Sequence, residues 1–164
     1  MRETPADLRE FYAGSYSRLV SVVGAVCGNR DEAEEAVQAA FVRLVGSWDR
    51  VSSYDDPEAW VRRAALGIVS NRRRKVRNGL RALVRTGPTP HVSAPTGDAV
   101  DLARALAALP IAQRQVLVLV HVVGLTVDAT AAELGIAPGT VKSRLSGGRA
   151  ALTPLLSEEA THGR

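Results

Sequence analysis

Apolar residues in the first part of the chain recur at steps of three and four, which is the spacing of a helix with one buried face. The clearest stripe follows Asp31 and consists of Ala33, Ala36, Val37, Ala40, Phe41, Leu44 and Val45. An earlier stripe ends near Gly28 and consists of Leu8, Phe11, Leu19, Val22, Val23 and Val26. A further helix is predicted to begin at Pro57, with Asp56 as its N-cap. These patterns predict a first unit built of helices alone.

The stretch TGPTPHVSAPTGD, from Thr86 to Asp98, breaks this pattern with three prolines and two glycines. It predicts an extended, flexible linker that reaches about 40 to 45 Å when fully stretched. Helical spacing then resumes in a second unit with Leu102, Leu106, Leu109, Val116, Leu117, Val120 and Val123, and stops at Gly124.

Two short helices are predicted after Gly124. Thr126 can cap the first of them, and Gly135 can form its C-terminal cap. Pro138 then begins the second helix. Two helices joined by a tight turn that contains glycine describe a helix-turn-helix, whose second helix enters the major groove of DNA.

The sequence therefore predicts an all-α protein with two small helical domains joined by a flexible linker, the C-terminal domain being a helix-turn-helix. The predicted boundaries are 1–85 for the first domain, 86–98 for the linker, 99–157 for the second domain and 158–164 for a tail.

The positive charge of the chain is concentrated in one segment. Residues 1–59 contain 11 acids and 6 bases, whereas residues 60–85 contain 9 bases and no acid. The densest part is NRRRKVRNGLR, from Asn71 to Arg81. Like charges this close repel one another unless a polyanion offsets them, so nucleic acid is the predicted partner. A membrane surface is the less favoured alternative, because the segment has few apolar side chains to insert.

The last helix carries polar side chains around an apolar pair. Val141 and Leu145 are four residues apart and are predicted to face the core, which turns the remaining side chains outward. Lysine and arginine can contact guanine edges or phosphates, and serine and threonine can hydrogen-bond to either. The candidate DNA contacts are Thr140, Lys142, Ser143, Arg144, Ser146 and Arg149. The alternative is that Lys142 and Arg144 only solvate an exposed face.

Other classes of function lack support. Cys27 is the single cysteine, which excludes an intramolecular disulfide and favours a reducing compartment. The polar N-terminus and the short apolar runs predict a soluble, cytoplasmic protein without membrane insertion. An enzyme would need a nucleophile with a base, paired carboxylates, a metal cluster or a phosphate loop, and none is visible. His121 is predicted to be a buried or boundary histidine, so we expect no catalytic residue, metal or cofactor.

Four stretches carry a family resemblance. They are FYAGSYSRLV, GNRDEAEEAVQAAFVRLVGSWDRV, PEAWVRRAA, and LPIAQRQVLVLVHVVGLTVDATAAELGIAPGTVKSRL in the second unit. Together they resemble the bacterial RNA polymerase sigma factors of the sigma-70 family, in its extracytoplasmic-function (ECF) group. The last stretch is the strongest part of the resemblance, because spacing and residue types agree throughout it.

The resemblance implies that the first domain binds the polymerase clamp and opens the promoter −10 element, while the second recognises the −35 element. Core RNA polymerase and promoter DNA would be the partners, and an anti-sigma factor is a common further partner in the family. The implied polymerase-binding residues are Asp31, Glu34, Glu35, Gln38, Phe41 and Trp48. The implied contacts to the −10 region are Arg62, Arg63, Asn71, Arg72, Arg73, Arg74, Lys75 and Arg77.

Three departures from the family pattern bear on contacts with the polymerase clamp and on promoter preference. Ala39 stands where the family usually has glutamate. Gly67 stands where an asparagine often holds a base flipped from the −10 strand. Gly147 and Gly148 occupy a stretch that is often basic in the family, which leaves Arg149 alone in that turn.

A stand-alone helix-turn-helix regulator is the alternative function. Such a protein is expected to bind symmetric half-sites as a dimer and to need no polymerase. Two unlike helical units on a proline-rich tether favour the sigma factor instead.

Overall fold

A computed structural model of the chain describes residues 4–82 and 98–162, and it describes side chains within 4–79 and 102–157. Within these ranges all regular structure is helical, which confirms the predicted all-α class. The described chain divides into two compact units, one of residues 4–24 and 29–82 and the other of residues 25–28 and 98–162. Linker residues 86–97 lie outside the described ranges.

The helix predicted to begin at Pro57 does so, and the short helix Trp48–Val51 was not predicted. The bounds of the helices in the first part of the chain are Ala6–Cys27 for α1, Arg30–Val45 for α2, Trp48–Val51 for α3 and Pro57–Ala82 for α4. The side chain of Asn29 caps α2 by accepting the N–H of Glu32 at 3.0 Å. Asp56 caps α4 in the same way, because its carboxylate accepts the N–H of Ala59 at 3.1 Å.

The most extensive helix contact of α2 is with α4, and several short apolar side chains lie on its buried face. Ala33, Ala36 and Ala40 are fully buried, and so are Val61 and Val69 of α4. Short side chains at a helix contact let the two axes approach closely. The prediction was wrong for Val45, whose surface is 57% exposed although it was assigned to the buried stripe.

An aromatic cluster closes one end of the first unit. Five of the seven aromatic residues take part in it, namely Phe11, Tyr12, Tyr16, Phe41 and Trp48. The ring centroid of Phe11 lies 5.3 Å from that of Trp48 and 6.0 Å from that of Phe41. The indole N–H of Trp48 donates to the carboxylate of Asp7 at 3.0 Å, so its polar atom is satisfied as the ring is buried.

An exposed ion pair links α1 to α4. The Nε atom of Arg18 donates to Oε1 of Glu58 at 2.7 Å, and its Nη2 donates to the second oxygen at 3.0 Å. This hydrogen bonding, together with the attraction of the carboxylate, raises the pKa of Arg18 above its ordinary value. Because the guanidinium is exposed to solvent, the pair contributes more to geometry than to stability.

The second unit contains the predicted helix-turn-helix. Its helices are α5 (Asp98–Ala107), α6 (Ile111–Leu117), α7 (Val127–Leu134) and α8 (Pro138–His162). Thr126 caps α7 by accepting the N–H of Ala129 at 3.0 Å. Gly135 ends α7 with φ 66°, in the left-handed region that glycine tolerates best. The turn between α7 and α8 therefore follows the local signals in the sequence.

A π-helical segment, Val118–Val123, continues α6 and ends at Gly124. The sequence predicted the break at Gly124 but not the π-helical geometry. Its hydrogen bonds run from residue i to i+5, so the register of the side chains shifts relative to an α-helix. His121 in this segment is exposed, which corrects its assignment as a buried or boundary residue.

Two glycines let α6 approach α8. A Cβ added to Gly148 would lie 2.8 Å from Cδ1 of Leu117, well inside van der Waals contact. A Cβ added to Gly147 would lie 2.9 Å from Nε2 of Gln113, at the far end of a flexible side chain. Gly148 is therefore a packing residue of the core, whereas position 147 can accept a side chain if Gln113 moves.

The ends of the second unit differ from the sequence prediction. Asp98 was assigned to the linker but is the first residue of α5. The tail was predicted from residue 158, yet α8 continues to His162.

We predict that Gly148→Ala lowers the free energy of unfolding of the second unit by about 1 to 3 kcal/mol, because the new methyl group collides with Leu117. Gly139→Ala is the matched control in the same helix, since a Cβ there meets no atom within 4 Å. The control is expected to gain up to about 1 kcal/mol from helix propensity. Urea unfolding followed by circular dichroism measures both changes, and equal stabilisation by the two variants would contradict a packing role for Gly148.

Candidate nucleic-acid and polymerase surfaces

The N-terminal half of α8 presents a polar face. Val141 is fully buried and Leu145 is 4% exposed, as the sequence predicted. Of the candidate DNA contacts, four are exposed, namely Lys142, Ser143, Ser146 and Arg149, while Thr140 and Arg144 are half-buried. Steps of four and three residues separate Lys142, Ser146 and Arg149, so these three share one stripe of the helix. The six candidates therefore separate into an exposed face and a half-buried flank.

Arg149 makes a polar contact that the sequence analysis missed. Its Nη2 and Nε atoms lie 3.1 and 3.3 Å from Nε2 of His121 in the π-helical segment. Both side chains are exposed. No sequence signal indicated the pair, because the π-helical register that exposes His121 is not visible in the apolar pattern.

The distal part of α4 is a basic helix with almost no buried face. From Asn71 to Gly79 every residue is exposed except Arg73, which is half-buried. This set includes Asn71, Arg72, Arg74, Lys75 and Arg77 of the predicted −10 contacts. Arg63, which lies nearer the start of α4, is also exposed. A helix gains most of its stability in proteins by packing an apolar face, which this segment lacks. Its composition and exposure suit a polyanionic partner.

Two ion pairs join the basic segment to α2. Nη1 of Arg72 lies 3.2 Å from a carboxylate oxygen of Glu35, and Nη2 of Arg73 lies 3.5 Å from one of Glu32. The acidic residues of α2 thus offset part of the repulsion among the basic residues of α4. From the sequence alone, only a polyanionic partner was expected to offset it. The Arg72 and Glu35 side chains are 43% and 70% exposed, so this pair is open to exchange with an external anion.

The structure does not place Arg62 on the surface with the other predicted −10 contacts. Arg62 is only 4% exposed, because it lies three and four residues before the buried Ala65 and Leu66 on the same face of α4. Arg62 therefore lies on the packed side of the helix, and its assignment as a DNA contact stays a prediction.

The exposed face of α2 changes from acidic to apolar along its length. Asp31, Glu35 and Gln38 are exposed on the first turns, and Val42 and Val45 follow on the same face. The two valines are 74% and 57% exposed. Of the other predicted polymerase contacts, Glu34 is half-buried and forms an ion pair with Arg30 at 3.0 Å.

Two of the predicted polymerase contacts lie in the aromatic cluster instead. Phe41 is 6% exposed and Trp48 is 7% exposed. Their rings pack on Phe11, so little of either side chain is available to a partner. The structure thus places both side chains in the core of the first unit, and their assignment as polymerase contacts stays a prediction.

An apolar groove of about 350 Å³ runs between α1 and α2. It is lined by Thr4, Leu8, Arg9, Tyr12, Gln38, Phe41, Val42 and Val45. The sequence pattern did not predict that Tyr12, Val42 and Val45 are exposed. One signal was available, because Val42 falls outside the apolar stripe of α2 and so had to face solvent or a partner.

Neither a metal site nor a membrane span was found in the described part of the chain. No group of three or more His, Cys, Asp or Glu residues there is arranged to hold a metal ion. No described helix is long and apolar enough to cross a membrane.

Comparison with protein families identifies both units. Residues 11–79 match the model for sigma-70 region 2, and residues 99–152 match the model for sigma-70 region 4. The chain therefore belongs to the sigma-70 family of bacterial RNA polymerase sigma factors. Its relatives place it in the ECF group of that family.

Two relatives illustrate the similarity. The ECF sigma factor EcfG of Rhodopseudomonas palustris is 28% identical over 159 residues, which cover 92% of this chain and 85% of the relative. The ECF sigma factor SigM of Mycobacterium tuberculosis is 34% identical over 131 residues, which cover 77% of this chain and 65% of the relative.

Solved structures share the fold. The sigma factor RpoE of Bartonella quintana, in complex with the anti-sigma factor NepR, superposes with a TM-score of 0.77 at 22% identity, covering 93% of this chain and 98% of that one. CnrH, in complex with the cytosolic domain of CnrY, superposes with a TM-score of 0.60 at 24% identity, covering 92% and 88%.

We predict that Glu35→Gln increases the affinity of the full-length chain for a fluorescent duplex of random sequence by about two- to fivefold, because it releases Arg72. Asp31→Asn is the matched control, since it removes one exposed negative charge from the same helix at a residue without an ion pair among the described residues. Fluorescence anisotropy at several salt concentrations measures both. Equal gains for the two variants would mean that only net charge matters.

Proposed function

We propose that this protein is the promoter-specificity subunit of bacterial RNA polymerase and directs transcription initiation by binding −10 and −35 elements. One observation carries the proposal: each unit of a chain that matches both sigma-70 regions presents its own exposed basic surface. Two such surfaces on unlike units suit one duplex contacted at two places. They do not suit the symmetric half-sites of a stand-alone helix-turn-helix regulator.

The second unit binds the −35 element through α8. Lys142 and Ser146 lie on its exposed stripe, near the N-terminal end that enters the major groove in helix-turn-helix proteins. Lysine can contact a guanine edge, and serine can bond to a base or a phosphate. Arg144, on the half-buried flank, contacts the border of the same groove.

The first unit binds the −10 region through the distal part of α4. Arg74, Lys75 and Arg77 are exposed and contact phosphates, and Arg72 joins them when it exchanges Glu35 for an external anion. Gly67 lies on the exposed side of the same helix with no atom within 4 Å of an added Cβ. Because Gly67 has no side chain, it does not itself hold a base flipped from the −10 strand.

The exposed face of α2 binds core polymerase. Asp31, Glu35 and Gln38 supply polar contacts on its first turns. Val42 and Val45 extend the surface as an apolar patch beside the groove. A patch of this composition, apolar with a polar rim, is typical of protein interfaces.

The chain itself performs no chemistry in this proposal, because polymerase carries the catalytic site and the sigma subunit positions the promoter. No cofactor is required, and the protein works in the cytoplasm. The resemblance to RpoE and CnrH, each solved with a partner, supports an anti-sigma factor as a further partner of this chain.

Initiation that depends on core polymerase tests the function. We expect the purified chain to bind core polymerase and, only in that complex, to start transcription at defined sites on genomic DNA. Sequencing of transcript 5′ ends after induced expression in cells should identify the same sites. Tight binding to a symmetric operator without polymerase would instead favour the stand-alone regulator.

Lys142→Ala is expected to change the preference of the reconstituted holoenzyme at one or two −35 positions, by roughly 1 to 3 kcal/mol if the lysine contacts a base edge. Asp128→Ala is the control, since Asp128 is an exposed charge in the first turn of α7. Binding to a library of promoters with randomised −35 elements measures the preference. An equal loss on every sequence would make Lys142 a phosphate contact.

A further inference from the structure

We infer that His121 is a positioning residue that holds the guanidinium of Arg149 against a phosphate of the −35 element. The inference rests on the proposed function, because it takes the exposed face of α8 as the DNA-binding surface. His121 lies outside the helix-turn-helix, in the π-helical segment before α7. It would therefore act through Arg149 and not by reaching the DNA itself.

The direction of the hydrogen bonds defines the state of His121. Nε2 of the imidazole lies 3.1 Å from Nη2 and 3.3 Å from Nε of Arg149. A guanidinium only donates hydrogen bonds, so Nε2 is the acceptor. An imidazole that accepts at Nε2 in this contact carries its hydrogen on Nδ1.

The contact leaves one edge of the guanidinium available. Arg149 has five N–H donors, and His121 accepts on the edge formed by Nε and Nη2. The edge formed by Nη1 and Nη2 points away from the ring. That edge can bind two oxygens of one phosphate in the bidentate geometry that arginine favours.

A neutral acceptor orients Arg149 without removing its charge. The pair on α4 is different, because Glu35 carries a negative charge that offsets the charge of Arg72. An imidazole restricts the rotamers of a long side chain while the full positive charge remains for an external anion. Fixing the side chain before binding reduces the entropy lost when the phosphate is bound.

Arg149 is an isolated basic residue in its part of α8. Arg149 is the only base between Arg144 and the end of the described side chains at Ser157. It lies seven residues after Lys142 on the same stripe, or about 10 Å further along the helix axis. Because Arg149 lies this far beyond Lys142, a phosphate at the edge of the groove is a better match for it than a base.

The test uses holoenzyme reconstituted from core polymerase and the full-length chain, with a duplex that contains a promoter identified by start-site mapping. Binding is measured over a range of salt concentrations for His121→Leu, His121→Gln, Arg149→Gln and the double variant with leucine and glutamine. Thermal unfolding of each free chain tests whether it remains folded.

Arg149→Gln is expected to reduce the slope of log K against log salt by about 0.9, the value for one phosphate contact. His121→Leu should weaken binding by about three- to tenfold, since it removes the acceptor. His121→Gln should retain most of the affinity, because its amide oxygen can accept the same hydrogen bonds. Once Arg149 is absent, His121→Leu should have no further effect.

Three results would overturn the inference. They are an unchanged salt slope for Arg149→Gln, losses for His121→Leu and Arg149→Gln that multiply in the double variant, and equal losses for leucine and glutamine at position 121. If His121→Leu does not fold, Arg149→Lys replaces it, and this variant should also bind less tightly because it keeps the charge but loses the guanidinium edges. Core-dependent initiation by the unchanged chain would show that the proposed function stands whichever result is found.

Discussion

The close packing of α2 on α4 is the constraint on which the surface of the first unit depends. Ala33, Ala36 and Ala40 on the buried face of α2 are short and fully buried, and on the neighbouring positions Glu32 and Glu35 reach arginines of α4 at 3.2 to 3.5 Å. The same packing turns the other face of α2, from Asp31 to Val45, toward solvent. A single helix contact therefore orients both the surface proposed for polymerase and the surface proposed for DNA.

The exposed arginine side chains of the two units have partners of different charge. On α4 the partners are carboxylates, so a phosphate must replace or share them before the arginines contribute fully to binding. On α8 the partner of Arg149 is a neutral imidazole, which leaves the charge available. In the proposed function, α4 therefore depends on the state of the acids on α2 when it binds the −10 region, whereas Arg149 needs no such release to bind a phosphate of the −35 element.

Much of the fold followed from local signals. Helix starts at Pro57 and Pro138, the cap at Thr126 and the glycine at the end of α7 each depend on residues within one turn of one another. Other expectations differed from the structure for separate reasons: spacing assigned Val45 to the buried stripe of α2 although it is exposed, and composition alone took no account of helical phase. Arg62 was grouped with the basic residues by its charge, although its spacing from Ala65 and Leu66 puts it on the buried face of α4.

The sequence alone determined the all-α class, the two units, the helix-turn-helix and the family, because these depend on short-range periodicity and motifs. Only the tertiary structure decided which polar side chains meet. Ion pairs between α2 and α4 join residues nearly forty positions apart, such as Glu35 and Arg72, which no local pattern connects. His121 of the π-helical segment meets Arg149 of α8, which lies 28 positions later in the sequence. Such contacts depend on the distances and relative orientation of packed helices, and these arise only when the chain is folded.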